Sequence, residues 1–171
     1  MYAGYYEEEF SSGSQFYWSG LSYTVSSQGG TRVGAFTAND TTSIPLAYLS
    51  GIVAGQTLSV SGDLTVTWTG GNPSLQNGQV TIEAISYTDQ TARINGEFIC
   101  TAPLSAQSLT IPKWVLSTLP PTGSYNIGTA AVPFGYIWIG QFNTPVTFQA
   151  TGLDRGVVVD EFNNGFPVYC K

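Results

Sequence analysis

Eleven carboxylates, ten tyrosines, four tryptophans and two thiols are the groups in this chain that could do chemistry, and no histidine accompanies them. Without imidazole there is no Ser-His-Asp or Cys-His triad, no His-ligated zinc and no facial-triad iron. Two cysteines cannot build a four-thiolate metal or iron–sulfur site. No dinucleotide-binding, P-loop or nucleophile-elbow motif occurs. Acid–base work by two carboxylates survives, since glycosidases need only a pair of Asp or Glu residues. Glu83, Glu97, Asp160 and Glu161 fall in strand-like segments, and Glu83 and Glu97 could face each other across neighbouring strands. The plainer account is solvated carboxylates on a wet sheet face, because catalytic pKa values need burial or a like-charged neighbour.

The same acids supply the oxygen ligands calcium prefers. Asp154, Asp160, Glu161 and the run Glu7-Glu8-Glu9 are the calcium candidates, although no EF-hand spacing holds them. Otherwise no cofactor is expected. Exposed Trp and Tyr stack on sugar rings or anchor protein interfaces. Tyr17-Trp18 and Tyr136-Ile137-Trp138 place neighbouring aromatics on opposite sides of an extended chain or beside a spacer, and Trp114 lies in a short helical stretch. These five rings are candidate ligand or interface groups, against core packing as the bland alternative. Cys100 and Cys170 permit one disulfide, which would close a long loop and pin the C-terminus.

The elements that must position these groups are strands. Leu64, Val66 and Trp68 alternate with threonines; Val80, Ile82 and Ala84 alternate with Thr81 and Glu83; Tyr136 and Trp138 face away from Ile137 and Ile139. Period two marks a sheet with one face packed and the other wet. Gln28-Gly29-Gly30, Ser61-Gly62-Asp63, Gly70-Gly71-Asn72-Pro73, Asn77-Gly78, Thr122-Gly123 and Asn163-Asn164-Gly165 read as turns. Many short strands separated by turns predict an all-β fold, an antiparallel β-sandwich of immunoglobulin-like or jelly-roll-like type. One short helical turn is predicted near residues 112–119, opened by Pro112 and stopped by Pro120-Pro121. Residues 14–171 form one domain in this reading. Residues 1–13 form an arm whose Tyr2, Tyr5, Tyr6 and Phe10 could join an assembly.

Charge narrows the partners. Only 9% of residues are charged, the net charge is −6, and the five cations Arg32, Arg93, Lys113, Arg155 and Lys171 stand singly. Nucleic acid and anionic membrane need clustered cations, so neither is expected as a partner. No apolar run reaches the length of a membrane span. Other protein chains, possible copies of this one, and polysaccharide are the partners that fit. A neutral, hydroxyl-rich composition suits a secreted or cell-surface protein. The start lacks a leader's pattern, so a mature chain is expected.

Four segments in order carry a resemblance. They are Tyr23-Thr24-Val25 with Gly29-Gly30 and Val33-Gly34-Ala35-Phe36-Thr37-Ala38; Leu64-Thr65-Val66-Thr67-Trp68-Thr69-Gly70-Gly71; Phe98-Ile99-Cys100-Thr101-Ala102-Pro103 with Leu109-Thr110-Ile111-Pro112 and Val115-Leu116-Ser117-Thr118-Leu119-Pro120-Pro121; and Phe148-Gln149-Ala150-Thr151-Gly152-Leu153-Asp154. Together, over residues 20 to 160, they resemble an uncharacterised group of secreted bacterial β-sandwich proteins of acidobacterial type. The resemblance implies secretion and an immunoglobulin-like or related fold, and transfers no catalytic residue. Three functions follow, in order of preference. The first is a non-catalytic extracellular structural or adhesive module, a surface, matrix or filament subunit that self-assembles through sheet edges. The second is a carbohydrate-binding module with an aromatic platform. The third is a two-carboxylate glycoside hydrolase.

Overall fold

A computed structural model describes residues 20–42, 46–71, 78–91, 95–142 and 144–171, apart from the side chains of 47–50. The expected arm with Tyr2, Tyr5, Tyr6 and Phe10, and the ring pair Tyr17 and Trp18, lie outside the described residues. The rest is mostly β, as the alternation requires. In chain order the strands are β1 (Ser22–Ser27), β2 (Phe36–Thr41), β3 (Leu46–Ser50), β4 (Thr57–Leu58), β5 (Leu64–Gly70), β6 (Gln79–Tyr87) and β7 (Asn95–Pro103). They continue with β8 (Ser108–Ile111), β9 (Ser124–Ile127), β10 (Ala130–Pro133), β11 (Gly135–Phe142), β12 (Val146–Phe148), β13 (Gly156–Val158) and β14 (Glu161–Cys170).

One sheet has the order β4-β14-β11-β6-β7 and a second the order β3-β5-β8; β1-β2, β9-β10 and β12-β13 form two-stranded pairs. All pairings are antiparallel except β4 with β14, which run parallel through Tyr169↔Thr57 and Cys170↔Leu58. The inward residues of both larger sheets share one core. Val80, Ile82, Ala84, Ile137, Ile139 and Val168 meet Val66, Trp68 and Ile111 there, all buried. Burying each large aliphatic side chain of this set stabilises by about 1.5–3 kcal/mol. Gln141, also fully buried on the inner side of β11, has no hydrogen-bond partner for either amide atom. Gly71 makes room for it: a Cβ there would lie 2.9 Å from the Gln141 Oε1.

The short helical turn is present as α1 (Lys113–Leu116), directly after Pro112. The Lys113 N–H is accepted by Asp63 Oδ1 at 2.8 Å, and Leu116 and Leu119 are buried in the core. The β1-β2 hairpin and the β12-β13 pair hold each other outside that core. Phe36 stacks on Phe148 with centroids 4.1 Å apart, and the Gly34 N–H donates to the Thr151 carbonyl.

Two expectations are overturned. The Cys100–Cys170 disulfide does not form; both thiols are free. Cys100 lies on β7 and Cys170 on β14, with β6 and β11 between them in the sheet. Three strand spacings alone exceed 14 Å or so, whereas a disulfide needs Cα atoms within about 7 Å. Burial instead raises both thiol pKa values, and for Cys170 hydrogen bonds with Thr122 and Ser86 partly offset the rise. The second correction concerns Asn163-Asn164-Gly165, expected as a turn. It lies inside β14, where Asn163 pairs with Gly140, Asn164 with Ile139 and Gly165 with Trp138.

Candidate functional site

Period two and the register of three strands assemble one surface. On the outer face of the five-stranded sheet, Trp138 stands between Glu83 of β6 and Gly165 of β14, and Gly140 between Thr81 and Asn163. One position further, Phe142 lies between Gln79 and Glu161. On β11 the inward positions beside Tyr136 and Trp138 are taken by the buried Ile137 and Ile139, which leaves the two rings on the outer face. Tyr136 stacks on Trp138, with centroids 5.4 Å apart and planes 19° from parallel.

Between these side chains runs an open groove of about 180 Å³, lined by Thr81 and Glu83 on one side and Glu161 and Asn163 on the other. Gly140 is its floor, and Trp138 and Phe142 stand at its two ends. Four residues of strand separate those two rings, about 13 Å. Both glycines are needed for this shape. A Cβ on Gly165 would approach Trp138 Cδ1 and Nε1 to 2.8 Å, and a Cβ on Gly140 would run into Asn163 Oδ1. Asn163 Nδ2 donates to Glu161 Oε1, so the amide is oriented by the carboxylate beside it. The groove thus offers flat apolar rings, two carboxylates, an amide and a hydroxyl, and no cation among its lining.

The other expected site residues fall elsewhere. Glu97 and Glu83 share the outer face but are offset: Glu83 pairs with Ile99, and Glu97 with Ile85. The carboxylates that do line the groove, Glu83 and Glu161, are two strands and four residues apart, so their Cα atoms are about 16 Å apart. Trp114 is 71% exposed on α1 and takes no part in the groove. Asp154, Asp160 and Glu161 do not come together: among the described residues no three His, Cys, Asp or Glu side chains cluster as metal ligands. The residues that reading the sequence missed are Thr81, Gly140, Phe142 and Asn163 of the groove lining, and Gly165 beside Trp138. A broader depression of about 730 Å³ beside Ser26, Phe36 and Gln149 has no carboxylate, and its one ring is already stacked on Phe148.

Asp160 instead faces Asp40 of β2. Burial pushes the Asp40 carboxyl above its ordinary range, the Thr41 N–H pulls it back, and the Asp160 charge adds to the rise. A carboxyl raised in the native state makes folding favour its proton, so stability falls as pH climbs from the unfolded value of about 3.9 through the native one. Asp40→Asn is therefore expected to stabilise the protein at pH 7 by under about 1 kcal/mol, since the site is only half-buried. The gain should vanish below pH 4 or so; urea titrations of both proteins at the two pH values would measure it. No known protein family, curated protein or solved structure matches this chain.

Proposed function

We propose that this chain is a non-catalytic extracellular adhesive module, an immunoglobulin-like or related β-sandwich, that holds neutral polysaccharide in the groove across β6, β11 and β14. The observation that carries this reading is the stacked Tyr136–Trp138 pair beside a glycine-floored groove edged by Glu83, Glu161 and Asn163. A pyranose has an apolar face that stacks on an indole and a rim of hydroxyls that donate to carboxylates and amides. The carboxylates disfavour anionic sugars by like charge, so a neutral glycan fits best. The shared core of the two larger sheets supports the sandwich reading, and the low charge and the bacterial resemblance support secretion.

The test is retention on insoluble neutral polysaccharides, followed by titration with soluble oligosaccharides. Trp138→Ala is expected to weaken binding at least about tenfold, the loss typical of truncating an aromatic anchor, with the circular dichroism unchanged. No retention on any neutral glycan would overturn the reading. Release of reducing sugar that Glu83→Gln or Glu97→Gln abolishes would make the protein a hydrolase instead.

A further inference from the structure

The five-stranded sheet has two unlike edges. At one, β4 contributes two residues. At the other, β7 runs for nine residues and pairs, among the described residues, with β6 alone. It is the longest edge strand in the described structure. Proteins blunt such edges with lysine, internal proline, bulges or brevity. Strand β7 uses none of these: its register with β6 is unbroken from Asn95 to Pro103, its proline is the last residue, and its one charge is Glu97. At its middle position Ile99 is 61% exposed on the same face as the groove.

We infer that β7 pairs antiparallel with β7 of a second copy about a two-fold axis at Ile99, joining two five-stranded sheets into one. The edge is complementary to itself in this arrangement. Ile99 meets Ile99 of the second copy, and Glu97 falls opposite Thr101, so no carboxylates oppose. Parallel stacking in register would set Glu97 against its own copy, a destabilising like-charge pair. One end limits the ladder, because Pro103 has no N–H to give. A two-fold of this kind is perpendicular to the sheet, because directly opposed residues share a face. Both grooves then open on one side of the dimer, with their β11 strands five spacings apart, about 24 Å. If the groove binds polysaccharide, one chain or one fibre surface can engage both, and the linkage raises avidity without new contacts. The dimer itself does not depend on what the groove binds, so failure of glycan retention leaves it standing.

Sedimentation velocity over a dilution series tests it, with the expected species at the 18.2 kDa chain mass and at twice that mass. Ile99→Lys is expected to raise the dimer dissociation constant at least about tenfold by placing two ammonium groups side by side, while leaving the circular dichroism unchanged. In a Cys100→Ser background, Ile99→Cys is expected to give a disulfide-linked dimer under mild oxidation, since opposed residues have Cα atoms about 4.5–5.5 Å apart. A monomer at every concentration, or a dimer indifferent to Ile99→Lys and not linked through Ile99→Cys, overturns the proposal. Dimerisation that appears only after residues 1–19 are deleted also overturns it, and would assign the edge to the chain's own N-terminal segment.

Discussion

Replacing Trp68 with alanine is expected to cost about 3–5 kcal/mol, the loss typical of truncating a buried aromatic. Against a total stability of about 5–15 kcal/mol this is a large share, worth a fall in Tm of about 10 °C for a chain of this size. The argument rests on where the indole sits. Trp68 is 1% exposed, on the inner side of β5 in the three-stranded sheet. Its Nε1–H donates to the Leu104 carbonyl at 3.0 Å, and Leu104 opens the short 3-10 turn that follows β7 of the other sheet. The backbone agrees, for the Trp68 N–H donates to Gln107 at the end of that turn. One residue thus contributes core volume and ties the two sheets together. Trp68→Phe separates the two contributions: it keeps most of the ring but leaves the Leu104 carbonyl without its donor, costing about 1–3 kcal/mol. Urea denaturation of both variants measures the difference. Equal losses would mean that volume does not matter at this position, and a loss below 1 kcal/mol or so for alanine would place Trp68 outside the structural core.

How much of this was legible in the sequence depends on which signal a residue sends. Trp68 announces itself, because Leu64, Val66 and Trp68 alternate with threonines on a single period and only one parity can be the packed one. The helical turn after Pro112 was equally readable, since a proline at the opening and two beyond the end leave few alternatives. At β11 the alternation is ambiguous: Ile137 and Ile139 on one parity and Tyr136 and Trp138 on the other are all suited to burial. The inward parity is settled by the β6 and β14 neighbours, Ile82 and Val168, which are buried as well, and no local pattern carries that information. Cysteine pairing fails for the same reason, as two even-numbered thiols say nothing about how many strands lie between them.

The misreading of Asn163-Asn164-Gly165 is the most instructive. Asn and Gly mark turns because they tolerate positive φ, but glycine within a strand also marks close approach of another group. Here the missing Cβ of Gly165 accommodates the Trp138 indole, and Asn163 lies beside Gly140 and donates to Glu161. Within the segment that looks like a chain reversal, Asn163 lines the groove, Gly165 seats one of its rings, and Asn164 pairs with Ile139 on the opposite face. The signal that could have found them is the even spacing of Glu161, Asn163 and Gly165 in a segment that ends Val168-Tyr169-Cys170, which continues the period of two to the end of the chain.

Gly140→Val should abolish glycan binding while the fold persists. The three added carbons occupy the groove floor between Trp138 and Phe142, and the first of them displaces Asn163, whose amide then no longer sits against Glu161. Filling a fitted site by this much removes about 3 kcal/mol, roughly a hundredfold in affinity. That exceeds the loss expected for Trp138→Ala, because the alanine variant removes one wall and leaves the polar rim in place. Stability should fall little, since valine suits a strand better than glycine and the atom that the new Cβ meets is the free end of the Asn163 side chain, which can turn toward solvent. Binding titration and urea denaturation of the same preparation make the test. Lost affinity with unchanged stability locates recognition in the groove. Unchanged affinity removes the groove from recognition and directs attention to Trp114, the most exposed large ring outside it among the described residues. Lost affinity together with lost stability would mean that Gly140 is a packing residue, and Gly165→Ala, which crowds only the edge of the indole, would then distinguish a displaced Trp138 from a disordered sheet.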